Sequence, residues 1–131
     1  MFKSIYIAGP MTGYPNFNFD KFYEVEEKLK AEGWIVYNPA NKEDEDALDP
    51  TAKVTGDTQK AIEEGFDFRK VYLWDVEKVI MADAIYMLPG WEKSVGACGE
   101  LAVAMAVQKH YPNYQIIMEE ETVVEPFSEC V

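Results

Sequence analysis

Cationic and metal-binding side chains are scarce in this chain of 131 residues. Lysine and arginine number 12 against 24 aspartates and glutamates, a formal net charge of −12. Binding to extended DNA or RNA works through Lys and Arg displacing counterions, so an extended nucleic acid is a poor partner for this surface. A small anion is not excluded, because backbone amides at a helix N-terminus hold one locally against the global field. One histidine, His110, and two cysteines, Cys98 and Cys130, supply neither a zinc-ligand spacing nor a disulfide framework. No apolar run approaches the ~20 residues that a membrane span needs. The opening residues Met1 to Tyr6 enter a strand-like run at once and lack a signal peptide's apolar stretch and cleavage site. A cytoplasmic protein is the expectation. Neither GxxxxGK[ST] nor GxGxxG occurs, which disfavours standard ATP and NAD sites, and no cofactor is expected.

What is present is enough for one core. Hydrophobic residues make up 48% of the chain and aromatics 14%, which fits a single globular domain. Lys3–Ala8 reads as a buried strand stopped by Gly9-Pro10, and the loop 9–16 carries two glycines and two prolines. Asn18 is a candidate N-cap for a helix running to Glu32, with Phe19, Phe22, Val25 and Leu29 on its apolar face. Trp34–Tyr37 is a second strand. Residues 41–57 are polar and acidic and read as a solvated excursion. Helical pattern returns from Thr58 to Ala82, in two pieces joined near Phe66–Phe68. Asp83–Leu88 is a third strand, Val95–Lys109 a helix, Tyr114–Met118 a fourth strand, and 119–131 an acidic tail.

Strands alternating with helices predict right-handed crossovers and an α/β three-layer sandwich around a mostly parallel sheet of four to five strands. In such a sheet the ligand crevice lies beyond the carboxyl ends of the strands, where strand order reverses. Two loops of functional composition follow strand ends, Gly9–Tyr14 and Pro89–Gly96.

The chemistry concentrates in 96–107, where Glu100 is the one charge in twelve residues. A helix apolar on all sides is expected to be buried, and an ionised carboxylate inside one is costly unless paired. Glu100 is then either a helix-start acid leaning on the N-terminal dipole with its head in water, or a partly desolvated nucleophile at the crevice. Ser94 is a candidate N-cap, and Gly96 lets a ligand approach the helix amides. Asp75, in Val71-Tyr72-Leu73-Trp74-Asp75-Val76, is a second lone acid in apolar company. Two carboxyls on different elements form the nucleophile and acid/base pair that glycosidic chemistry uses. Asp83 starts a strand and reads as a turn or cap residue. Tyr6 is either core packing or a hydroxyl reaching the crevice, and Trp91 either a stacking platform or a loop anchor.

Tyr6-Ile7-Ala8-Gly9-Pro10-Met11-Thr12-Gly13, Asn38-Pro39-Ala40, Asp75 and the run from Leu88 to Ala97 with Glu100 resemble the nucleoside 2-deoxyribosyltransferase-like family, in its short branch common in phages and bacteria. The resemblance covers most of the chain outside the acidic excursion and tail. It implies a flavodoxin-like fold, cleavage of the N-glycosidic bond of deoxynucleosides or their 5'-monophosphates, and an assembly of two or more copies. By position it implies Glu100 as the nucleophile on C1', Asp75 as the acid/base serving the nucleobase, and Tyr6 as the residue orienting the nucleophile. It implies substrate contacts from Gly9, Pro10, Met11, Trp91, Ser94 and Gly96. Ser94 matches the serine that binds the 5'-phosphate in the monophosphate hydrolases, where the transferases carry an aspartate. The first loop departs from those hydrolases, with Pro10 and Thr12 in place of polar and basic residues, and the tail departs from the transferases.

Two rival readings use the same residues differently. One is a non-catalytic module that binds or senses a nucleotide in the same pocket. The other is an interaction protein whose acidic surface mimics nucleic acid, which leaves the Glu100–Ser94 constellation unexplained.

Overall fold

Every residue from Ile5 to Ala8 is apolar or aromatic, so this strand needs cover on both faces, as parallel sheets do. The computed structural model describes residues 3–41, 48 and 50–119. In it β1 (Ser4–Ala8) lies inside the sheet between β2 (Ile35–Tyr37) and β3 (Ala84–Met87), with β4 (Gln115–Met118) beyond β3. All three pairings are parallel. The order β2-β1-β3-β4 with helices on both faces is a flavodoxin-like three-layer α/β fold.

Side chains alternate across a strand, and that alternation divides the core. Ile5 and Ile7 of β1, with Ala84 and Tyr86 of β3, pack under α1 (Phe19–Ala31) through Phe19, Phe22, Val25 and Leu29. Tyr6 and Ala8, with Ile85 and Met87, face α4 (Phe68–Met81) and α5 (Val95–His110) through Val79, Ala97 and Ala104. Full burial of a side chain such as Phe22 contributes about 1.5–3 kcal/mol, so each layer is held by its own apolar stripe. Strand order reverses between β1 and β3, at the end of the sheet where Gly9 and Leu88 leave it.

Three local outcomes differ from the sequence pattern. Asn18 occupies the N-cap position of α1 but is left-handed (φ 63°), and its amide donates to the Pro10 carbonyl at 3.0 Å instead of capping. It closes a left-handed turn with Asn16 and Phe17, held by burial of Phe17 and its N–H bond to the Tyr14 carbonyl. Within the stretch read as a solvated excursion, Pro50–Thr55 forms a short helix, α2, with Ala52 in the core; residues 42–47 and 49 lie outside the described residues. The helix expected to be apolar and buried all round, α5, buries one stripe only: Val95 is 90% and Met105 58% exposed. The expected break in the 58–82 helix is real, giving α3 (Thr58–Glu63) and α4, each N-capped by an aspartate. Of the tail, Glu119 is described, and it meets Lys21 at 2.9 Å and the Tyr86 hydroxyl at 3.1 Å.

The loop after β1 is tied to α2 through a glycine. Gly56 accepts the Gly13 N–H at 2.8 Å, sits at φ +68°, and a Cβ there would collide with the Tyr14 carbonyl oxygen. Gly56→Ala is therefore expected to destabilise the fold by at least the ~1–2 kcal/mol of left-handed backbone, read as a lower denaturation midpoint. An unchanged midpoint would show that this loop is not tied to the core through Gly56.

Candidate active site

The site is assembled from three elements that share one face of the sheet. β1 contributes Tyr6, whose neighbours across the register are Tyr37 and Ile85 and whose side chain is fully buried. The helix α4 starts at Asp67, whose carboxylate accepts the Lys70 N–H at 3.1 Å, and it carries Tyr72 and Asp75 one turn apart. The helix α5 follows a tight turn, with Gly90 at φ +90°, and its inward stripe is Ala97, Glu100 and Ala104. Two alanines on that stripe let the helix lie close to the sheet, and the glutamate fills the space between them.

Glu100 is 5% exposed, and the Tyr6 hydroxyl donates to its Oε2 at 2.9 Å. Burial pushes the Glu100 carboxyl well above the usual carboxylate range, and the negative charge of Asp75 pushes it further; the bond from Tyr6 partly offsets both. Asp75 is itself 8% exposed. Burial first, and then the two acids, raise the Tyr72 phenol to about 12 and Tyr6 well above its ordinary value. Both phenols therefore keep their protons and act as donors. Two carboxyls coupled in a low-dielectric region hold a shared proton more tightly than two exposed ones do. That is the arrangement from which one acid and one base are drawn.

Beside this pair a cleft of about 460 Å³ opens, within the size of small-molecule sites. Pro39, Leu48, Phe66, Val71 and Trp74 give it apolar walls, and Asp75 forms part of its lining. Asp75 thus links the cleft to the enclosed Tyr6–Glu100 pair.

The other residues singled out from the sequence serve packing and backbone geometry. Gly9 faces the Leu88 side chain so closely that a Cβ there would lie 2.7 Å from it. Pro10 is buried and its carbonyl holds Asn18; Met11 packs on the α1 side of the core. Trp91 lies in the turn before α5 and packs on the core under α4 and α5. Ser94 caps α5, its hydroxyl accepting the Ala97 N–H at 3.1 Å. Gly96 lends its carbonyl to the Tyr72 hydroxyl at 2.7 Å. Asp83 holds the start of β1, accepting the Ser4 N–H at 2.8 Å, in keeping with a turn or cap role. Tyr72 entered the sequence pattern only as a neighbour of Asp75. Its signal was Gly99 inside α5, a missing side chain that leaves room for a close approach.

Because the folded chain holds the Glu100 proton more tightly than the unfolded chain, stability falls as pH rises from the ordinary glutamate value near 4.5 through the raised folded value. Glutamine cannot ionise and still accepts from Tyr6. Glu100→Gln is expected to melt above wild type at pH 8, with the gap closing as pH falls toward 4.5. A gap that does not change with pH would contradict the raised folded value.

No curated protein matches the chain. A family model does, and it covers residues 3–111, from the start of the sheet to the end of α5. The chain belongs to the family described as Domain of unknown function (DUF4406).

Proposed function

We propose that this protein cleaves the N-glycosidic bond of a 2'-deoxynucleoside or its 5'-monophosphate through a glycosyl-enzyme on Glu100. The observation that carries the reading is the buried Glu100 carboxyl, oriented by Tyr6 and electrostatically coupled to Asp75 at the wall of a cleft. The resemblance to the nucleoside 2-deoxyribosyltransferase-like family supplies the substrate class.

In the reactive form Glu100 is a carboxylate and Asp75 holds the pair's proton. A Glu100 oxygen bonds to C1' as the C1'–N bond breaks, the bonding pair leaves with the base, and Asp75 protonates it. Asp75, now ionised, takes a proton from the second acceptor, whose oxygen or nitrogen bonds to C1' and frees Glu100. Water as acceptor gives hydrolysis, and a free base gives transfer. Positive charge developing at C1' favours the ionised state of Glu100 at that moment, and the Tyr6 bond holds the carboxylate in place.

A second reading, a nucleotide-binding or sensing module without turnover, is favoured by one feature. Burial and Asp75 bias Glu100 toward its neutral form, which accepts and donates hydrogen bonds but does not attack. Ligand-induced thermal stabilisation without base release, unchanged by Glu100→Gln, is its signature.

For the assembly implied by the resemblance we propose the outer face of α4 and α5, where Leu73, Ile80, Val95 and Met105 are exposed. The single carboxylate of α5 is the buried Glu100, so in a chain of net charge −12 this helix presents a second copy with no negative charge to oppose it.

Chromatography of deoxynucleosides and 5'-deoxynucleotides incubated with the protein tests the chemistry. Base release abolished by Glu100→Ala and lowered about 10²–10⁴-fold by Asp75→Asn is expected. The rising limb of the pH profile should lie above the ordinary carboxylate range and move higher in Tyr6→Phe, because the lost bond had favoured the ionised form. Tyr6→Phe should also cost about 10- to 100-fold at neutral pH, the range of a charge-assisted hydrogen bond of ~1.5–3 kcal/mol. Release unaffected by Glu100→Ala would sink the mechanism. For the assembly, Leu73→Asp at a 72% exposed position is expected to yield a folded monomer by light scattering where wild type is larger; equal masses would remove this face.

A further inference from the structure

We infer that Tyr72 is a positioning residue, a tether from α4 to the helical turn that carries Glu100, and that Gly99 is glycine to admit it. The Tyr72 hydroxyl donates to the Gly96 carbonyl at 2.7 Å. In an α-helix that carbonyl also accepts the N–H four residues on, which here is the N–H of Glu100. The tether thus grips the turn from which the Glu100 side chain projects.

Its other end is equally placed. Tyr72 sits one turn before Asp75 on α4 and its ring stacks on Phe68, with centroids 5.5 Å apart and planes 11° from parallel. The phenol is therefore held from its own helix, and one hydrogen bond fixes the helix bearing Asp75 against the helix bearing Glu100. The glycines of α5 show how tight the fit is. A Cβ on Gly99 would lie 2.6 Å from the Tyr72 oxygen, and one on Gly96 would lie 3.5 Å from the ring. An alanine at position 99 displaces the hydroxyl, whereas one at 96 makes ordinary contact.

The inference rests on the catalytic reading of Glu100 and Asp75 for its functional meaning, but its geometry is testable without turnover. The groups facing Glu100 are Tyr6 from β1 and Asp75 from α4, with Tyr72 beside them. Loosening the tether separates Asp75 from Glu100 and admits water, and both changes favour the charged carboxyl. Carboxyl-¹³C NMR titration of glutamate-labelled protein, with the Glu100 signal assigned from Glu100→Gln, reads this directly.

The Glu100 midpoint is expected to move down in Tyr72→Phe, which keeps the ring and removes the bond, and further down in Gly99→Ala. Tyr114→Phe is the control, since it deletes a tyrosine–carbonyl bond of 2.8 Å to Val79 on the same helix, away from Glu100. It should lower Tm without moving the midpoint. Where wild type turns over, Tyr72→Phe should lower kcat about tenfold and leave KM within twofold. A midpoint unmoved in Tyr72→Phe, or moved equally by Tyr114→Phe, overturns the tether, and Tyr72→Phe decides alone if Gly99→Ala does not fold. Wild type without base release but with the expected shifts would overturn the proposed chemistry and leave the tether standing.

Discussion

The hydrogen bond from Tyr6 to Glu100 joins the centre of the sheet to the inward face of its covering helix, and the site depends on it. A carboxyl placed there without a donor would lose its hydration and gain nothing in return. With the phenol at 2.9 Å the group is retained in a fixed rotamer at the interface of two layers. The alternation of β1 decides that Tyr6 faces this layer while Ile5 and Ile7 fill the other. The alanines at 97 and 104 decide that the helix comes close enough for the bond to form.

Asp75 gives that enclosed group an electrostatic partner. It borders the cleft formed with Pro39, Phe66 and Trp74, so a ligand in the cleft meets one carboxyl directly and the second through it. Coupled acids in a dry region redistribute one proton when a neighbouring charge changes, and in the proposed reaction the positive charge developing at C1' is such a change. Ser94 and the 9–11 loop do not line this cleft and serve backbone geometry: a cap, a close packing of Gly9 on Leu88, and a carbonyl held by Asn18.

Much of this was legible in the residues. The continuous apolar run at 5–8 and the stripe at Phe19, Phe22, Val25 and Leu29 marked the elements through periodicity, which acts over a few residues. The isolation of Glu100 in a helix of small apolar residues marked the site. Less legible were features set by distant partners. The left-handed turn at 16–18 exists because Phe17 is buried and Asn18 reaches Pro10, neither of which a cap rule contains. The helix at 50–55 is too short for a periodic signal, and Ala52 gains its place from tertiary contact. The composition of α5 pointed to burial on all sides, yet the sheet covers one stripe and the outer one is left exposed. Tyr72 needed α4 and α5 to be seen side by side before Gly99 read as room for a hydroxyl.

The proposed covalent step on Glu100 is the centre of the account, and trapping it is its most direct test. A 2'-fluoro-2'-deoxyarabinonucleoside slows both displacement steps by destabilising positive charge at C1', so the glycosyl-enzyme accumulates. Intact-mass and peptide mass spectrometry after incubation should show one added fluorodeoxyglycosyl unit, on the peptide containing Glu100, with the free base released in equal amount. Base release with no adduct, or an adduct on another residue that persists in Glu100→Ala, would contradict the account.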